Sequence, residues 1–207
     1  MTKRAAAAVV VLAAAWLLVA TDVLFGGPIS DLDAWLADRV VLPRHSPATL
    51  AMIFWTNLHS YTAILIYSAL FALLLARRRD WEWARAVVAA VPCGMLLNAV
   101  LKLAIQRTRP VLDNPVLALE TYSFPSGHVA ASFLFYGMLA AYLSSRYPRL
   151  RRLFIAGAAL LVGLVGYSRM ALGVHYFGDV LGAALSSGAW LVICLAAVHA
   201  RAAARSP

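Results

Sequence analysis

Acidic residues and lysine are what this chain has least of. Two lysines, Lys3 and Lys102, stand against sixteen arginines, and there are nine aspartates and glutamates in all. Carboxylates so few and scattered leave no visible cluster suited to magnesium. The two cysteines, Cys93 and Cys194, lie inside apolar runs without metal-ligand spacing. They read as small buried hydrophobes, which argues against a disulfide scaffold or a zinc site. Charged residues make up 13% of the chain and hydrophobic ones 63%, with mean hydropathy +0.78. That is far too apolar for a soluble globule and fits a bundle of membrane spans. The net charge of +9 does not point to nucleic acid, because the cations cluster in short loops instead of forming one basic face.

The apolar residues fall into runs long enough to cross a bilayer. Met1-Thr-Lys-Arg precedes the first run, 5–25, in the manner of a secretory signal. This run is longer than a usual signal core and reads as an uncleaved span. Gly26-Gly27-Pro28 ends it. In 30–42, Leu32, Trp35, Leu36 and Val40 lie on one side, with Asp31, Asp33, Asp38 and Arg39 largely on the other. This is the pattern of a short amphipathic helix at the interface, either a connector or a lid. Further spans are expected at 50–76, 84–105, 126–145, 153–170 and 176–200. The whole, 1–207, is then one all-α integral membrane domain, a six-transmembrane-helix bundle. The second span carries a polar patch, Thr56, Asn57, His59 and Ser60, that should face the bundle interior. His59 there either lines a substrate pocket or is a hydrogen-bonded core histidine. His45 and His199 belong to no recognisable constellation.

Six spans can be oriented by their loop cations. One set of ends holds Lys3, Arg4, Arg77, Arg78, Arg79, Arg85, Arg146, Arg149, Arg151, Arg152, Arg201 and Arg205, twelve of the eighteen. Arg39, Arg44, Lys102, Arg107, Arg109 and Arg169 belong to the other. Both termini are therefore expected in the cytoplasm.

Three polar stretches sit at span ends on the opposite, extracytoplasmic side. In Ser168-Arg169-Met-Ala-Leu-Gly-Val-His175-Tyr-Phe-Gly-Asp179, His175 and Asp179 are i and i+4 if the last helix begins near His175. Asp179 can then accept the Nδ1 proton and leave a lone pair on Nε2, as a nucleophilic histidine needs. Alone, such a pair is equally a structural one at a helix start. With Arg169 beside it at a membrane edge, where ionisable groups are costly, the catalytic reading stands ahead. In Lys102-Leu-Ala-Ile-Gln-Arg107-Thr-Arg109-Pro110, residues seven apart return to one helix face, so Lys102 and Arg109 can share a target. Headgroup snorkelling explains Arg107 well and the more deeply set Lys102 poorly. In Tyr122-Ser-Phe-Pro125-Ser126-Gly127-His128, the unpaired N–H groups of a helix start and the Ser126 hydroxyl make an anion site, and Gly127 lets an anion approach the backbone. Tyr122 is a further pocket-lining candidate.

Together, Lys-x6-Arg-Pro, Pro-Ser-Gly-His and Ser-Arg-x5-His-x3-Asp resemble the three-part signature of the type-2 phosphatidate phosphatase and vanadium haloperoxidase superfamily. Each motif is weak alone, but all three are complete and in order. The resemblance implies a helical bundle that hydrolyses phosphate esters or anhydrides without metal or other cofactor. It makes His175 the nucleophile of a phosphohistidine intermediate, Asp179 its orienting partner and His128 the general acid. Lys102, Arg109, Ser126, Gly127 and Arg169 would hold the phosphoryl oxygens. The expected substrate is a membrane lipid phosphate or diphosphate: undecaprenyl diphosphate, towards which the reading leans, phosphatidylglycerol phosphate or phosphatidate. The expected location is a bacterial cytoplasmic (inner) membrane, with no nucleic-acid partner and the oligomeric state open. Alternatives are a phosphotransferase using the same intermediate, a lipid-phosphate binding or transport protein without turnover, and zinc coordination by His128, His175 and Asp179.

Overall fold

A computed structural model describes residues 1–111, 117 and 121–203. Parts of the polar loop 106–124, and Arg205 of the cation count, lie outside the described residues. The described chain is all helical: α1 (Lys3–Phe25), α2 (Pro28–Val40), α3 (Pro47–Leu58), α4 (Tyr61–Arg77), α5 (Trp81–Ile105), α6 (Gly127–Arg146), a 3-10 turn (Pro148–Leu150), α7 (Arg151–Ala171) and α8 (Phe177–Ala203). Five helical stretches are long and apolar enough to cross a membrane singly, and α3 with α4, bent between them, is together long and apolar enough for a sixth. Helix ends fall within a few residues of the expected ones, the ordinary uncertainty of a helix boundary.

Local chemistry sets these ends. Thr2, Ser46 and Ser60 each accept the backbone N–H three residues on, from Ala5, Thr49 and Ala63, as helix N-caps do. The Asp22 carboxylate, near the end of α1, accepts the N–H groups of Ile29 and Ser30 and so caps α2 from outside. Where one continuous span was expected over 50–76, the chain ends a helix at Leu58, bends by 43° and starts another at Tyr61. The polar patch is the cause, with His59 ending α3 and Ser60 capping α4.

α6 lies at the centre, packed against α4, α5, α7 and α8, while α1 covers α8. Ile64, Val91 and Leu134 form one buried cluster, and Leu75, Val87 and Met138 another. Large apolar side chains such as Leu18, Phe54, Leu103 and Leu160 face outward, as a lipid-facing surface requires. Asp80 and Arg146 pair at one end of the bundle. At the other end the loops after α5 and α7 meet the starts of α6 and α8, and the three polar stretches come together.

Candidate active site

His175 lies two residues before α8 instead of on it. The pair with Asp179 nevertheless forms, because the Asp179 carboxylate turns back over the helix start. Its Oδ2 accepts the Tyr176 N–H at 2.9 Å and lies 3.2 Å from His175 Nδ1. Both side chains are buried, Asp179 completely. With Nδ1 donating to the carboxylate, Nε2 is the lone-pair nitrogen. Arg109 Nη1 lies 3.4 Å from it, as a donor facing an acceptor. Burial pushes the His175 imidazole down to about 4, against the pull of Asp179 in the opposite direction, so it is neutral at pH 7.

Lys102 and Arg109 meet, but not on one helix face. α5 stops at Ile105, Gln106 takes a left-handed conformation (φ 52°), and Arg109 arrives on the non-helical segment beyond. That segment lies along 121–123. Ser123 N–H donates to the Arg107 carbonyl at 2.8 Å and Ser123 Oγ to the Thr108 carbonyl at 2.8 Å. Lys102 Nζ donates to the Tyr122 carbonyl at 2.7 Å, and Arg109 to the same oxygen at 3.1 Å and to the Val174 carbonyl at 2.6 Å. Tyr122 thus enters the site through its main chain.

Ser126 is the N-cap residue of α6, yet, unlike Thr2, Ser46 and Ser60, its hydroxyl caps nothing. Its N–H donates to the Asp179 carbonyl at 3.0 Å, and its fully buried Oγ has no partner among the described residues. Arg169 shows the same pattern. Nη1 donates to Thr56 Oγ1 at 2.8 Å, while the buried Nε has no partner among those residues. Thr56, at 1% exposure, belongs to the polar patch expected to face inward. Buried donors normally find acceptors, so Ser126 Oγ and Arg169 Nε stand out as two uncommitted ones. His128, on the first turn of α6, lies within electrostatic reach of His175, Arg169 and Arg109.

The structure narrows the sequence reading at Gly127 and His59 and overturns it at Arg107. A Cβ on Gly127 would sit 1.4 Å from Tyr61 Oη, so the group that approaches this backbone is a phenol from α4. Tyr61 also packs edge-on against His128, with ring centroids 5.7 Å apart, a role that an aromatic inside an apolar run gave no sign of. His59 is the hydrogen-bonded core histidine. It is 3% exposed, with Nδ1 2.8 Å from the Trp55 carbonyl and Nε2 2.9 Å from Tyr136 Oη. Arg107 does not snorkel. Its guanidinium bridges two carboxylates, Asp179 at 2.8 Å and Asp33 at 2.7 Å, and lies over the Tyr176 ring. Burial opposes its charge, but these carboxylates outweigh that and hold its pKa above the ordinary value.

Asp33, read as part of a polar outer face, is 2% exposed and points into the protein. Its Oδ1 accepts the Gly178 N–H at 2.7 Å. Burial lifts its carboxyl above the ordinary value, while Gly178 and Arg107 pull it back. Leu32 and Trp35, on the apolar side of α2, are exposed.

A buried histidine–aspartate pair, with cationic and hydroxyl side chains gathered at the same end of a membrane-spanning bundle, defines the class: an all-helical integral membrane protein with a polar site at one end. The chain belongs to the PAP2 superfamily, whose model matches residues 83–203. Over 90 residues it is 40% identical to phosphatidylglycerophosphatase B of Bacillus subtilis (strain 168), covering 42% of this chain and 44% of that protein. The chain thus spans under half the length of that relative in the match. Its fold is similar to the crystal structure of a transmembrane PAP2-type phosphatidylglycerolphosphate phosphatase from Bacillus subtilis. There the TM-score is 0.80, at 27% identity, over 96% of this chain and 97% of the other.

Proposed function

We propose that this protein is a lipid phosphatase that acts through a phosphohistidine on His175. The observation that carries the reading is the pair of buried, uncommitted donors, Ser126 Oγ and Arg169 Nε, at the site where Asp179 fixes the imidazole. Phosphoryl transfer asks mainly for positioning and fixed positive charge around three equatorial oxygens. Arg169, Ser126, Lys102, Arg109 and the start of α6 at Gly127 supply these. His175 Nε2 attacks phosphorus and the ester P–O bond breaks. His128 gives its proton to the leaving alkoxide, then takes one from the water that displaces His175. That acid–base step is worth about 10² to 10⁴ in rate.

The names of both relatives support phosphatidylglycerol phosphate as the first substrate to test, ahead of undecaprenyl diphosphate. The twelve cations assigned to the opposite ends support a cytoplasmic position for those ends and both termini, with the site facing out.

The test is phosphate release by detergent-purified protein from phosphatidylglycerol phosphate, phosphatidate and undecaprenyl diphosphate, each with excess EDTA. Turnover of the first that survives chelation and is inhibited by vanadate, a five-coordinate phosphoryl mimic, is the expected result. Loss of turnover with chelator contradicts the metal-free chemistry, and release from none of the three contradicts the reading.

A further inference from the structure

We propose that Asp33 and Arg107 are positioning residues for His175, forming a buried carboxylate–guanidinium–carboxylate clamp through which the short helix α2 sets the hold of Asp179 on the imidazole. The inference rests on the reading of His175 as nucleophile and deepens it.

Arg107 divides its two terminal nitrogens between Asp179 Oδ1 at 2.8 Å and Asp33 Oδ2 at 2.7 Å. The other oxygen of each carboxylate is also used. Asp179 Oδ2 faces His175 Nδ1 and accepts the Tyr176 N–H, and Asp33 Oδ1 accepts the Gly178 N–H. The result is an unbroken chain of contacts from α2, through Arg107, to the nitrogen opposite the nucleophilic one. Gly178 makes the approach possible, since a Cβ there would lie 2.8 Å from Asp33 Oδ2. α2 is braced in turn: Asp22 caps its start, and Leu42 N–H, just beyond its end, donates to the Ala171 carbonyl at 2.9 Å.

The clamp works by charge as well as shape. Arg107 alone against Asp179 would draw electron density from the carboxylate and weaken its support of a positively charged imidazole. Asp33 returns a negative charge and keeps Arg107 from collapsing onto Asp179. Removing Arg107 leaves the Asp179 carboxylate that faces the histidine, and Asp33 behind it, without the cation between them, and favours imidazolium. Removing Asp33 then cancels that excess. The other charged and titratable groups around His175 are Arg109 and Lys102 from the α5 end, Arg169 from α7, His128 from α6, Tyr61 from α4 and the adjoining Tyr176. All are unchanged in the variants below.

The experiment compares wild type, Arg107→Gln, Asp33→Asn and the double variant, purified in detergent. The readouts are kcat and KM for phosphatidylglycerol phosphate from pH 4 to 9 and thermal unfolding. His175→Ala runs alongside. The substrate's own ionisation is common to every protein, so differences in the acid limb of kcat/KM belong to the enzyme. Arg107→Gln is expected to move that limb up by about one pH unit. The double variant returns it toward wild type, and Asp33→Asn alone does not raise it. For both single variants kcat falls by about tenfold to a hundredfold, with KM changed less than kcat. Superimposed limbs overturn the clamp, even if kcat and stability fall, since that is all a merely structural role predicts. Should Arg107→Gln not fold, Arg107→Lys replaces it, keeping charge but not the two-pronged bridge. A tenfold loss of kcat at unchanged KM and unchanged thermal stability then supports the clamp, and an unchanged kcat, or a loss that follows lost stability, overturns it. Full turnover by His175→Ala sinks the nucleophile reading itself. An inactive His175→Ala with superimposed limbs sinks only the clamp.

Discussion

Arg169 and Thr56 meet across the bundle from helices α7 and α3, 113 positions apart in the chain, through a 2.8 Å bond that takes one guanidinium nitrogen and leaves Nε uncommitted. The threonine thereby aims the arginine. Thr56→Val keeps the shape and removes the acceptor. A lost hydrogen bond to a buried charged group costs about 1.5–3 kcal/mol. Lower thermal stability and a raised KM are expected, measured by unfolding in detergent and by steady-state kinetics.

Ser126 and Ser60 are both N-cap residues, but only Ser60 caps its helix. Ser60→Ala is expected to cost about 1 kcal/mol of stability and to leave kcat nearly unchanged. Ser126→Ala is expected to do the reverse, with stability little changed because the buried hydroxyl has no hydrogen bond to lose among the described residues, and kcat lowered by about 10² to 10³, the usual effect of removing one oxyanion donor. A parallel thermal and kinetic comparison checks both.

Gly127→Ala places a methyl where Tyr61 Oη lies. The single substitution should lower kcat/KM by pushing the phenol into the cradle. Tyr61→Ala in the same protein should recover much of the loss. Kinetics of the four proteins of this double-mutant cycle test the coupling, which simple additivity would deny.

With its imidazole at about 4, His175 is a free base across the neutral range. Its contribution to the acid limb of kcat/KM is expected near pH 4, well below an ordinary histidine. The same shift has a stability consequence. The folded value lies below the unfolded value of about 6.5, so unfolding takes up a proton. The stabilising contribution is complete above about pH 6.5 and is lost as pH falls toward 4. A pH series of thermal unfolding on wild type and His175→Gln separates this histidine's share.

The apolar helices and the gathering of the polar stretches at one end were legible in the sequence, because long apolar runs and span-end positions are strong one-dimensional signals. The break at His59–Ser60 was not, since hydropathy stays high on both sides of it, although Thr56 and His59 correctly announced inward-facing side chains. Arg107 and Asp33 were misread for one shared reason. A charge at a membrane edge looks the same whether it reaches outward to headgroups or inward to a partner far along the chain. Only the fold reveals that Asp33, Arg107 and Asp179 are neighbours. Tyr61 was hidden because one aromatic in an apolar helix carries no directional mark.

In the proposed reaction His175 Nε2 becomes covalently bonded to phosphorus. The most direct measurement is acid-free quenching of protein mixed with phosphate-labelled phosphatidylglycerol phosphate, followed by mapping of the label. An acid-labile, base-stable phosphoryl group on His175, absent in His175→Ala, is expected. A label on another residue, or turnover in His175→Ala at the wild-type rate, would contradict it.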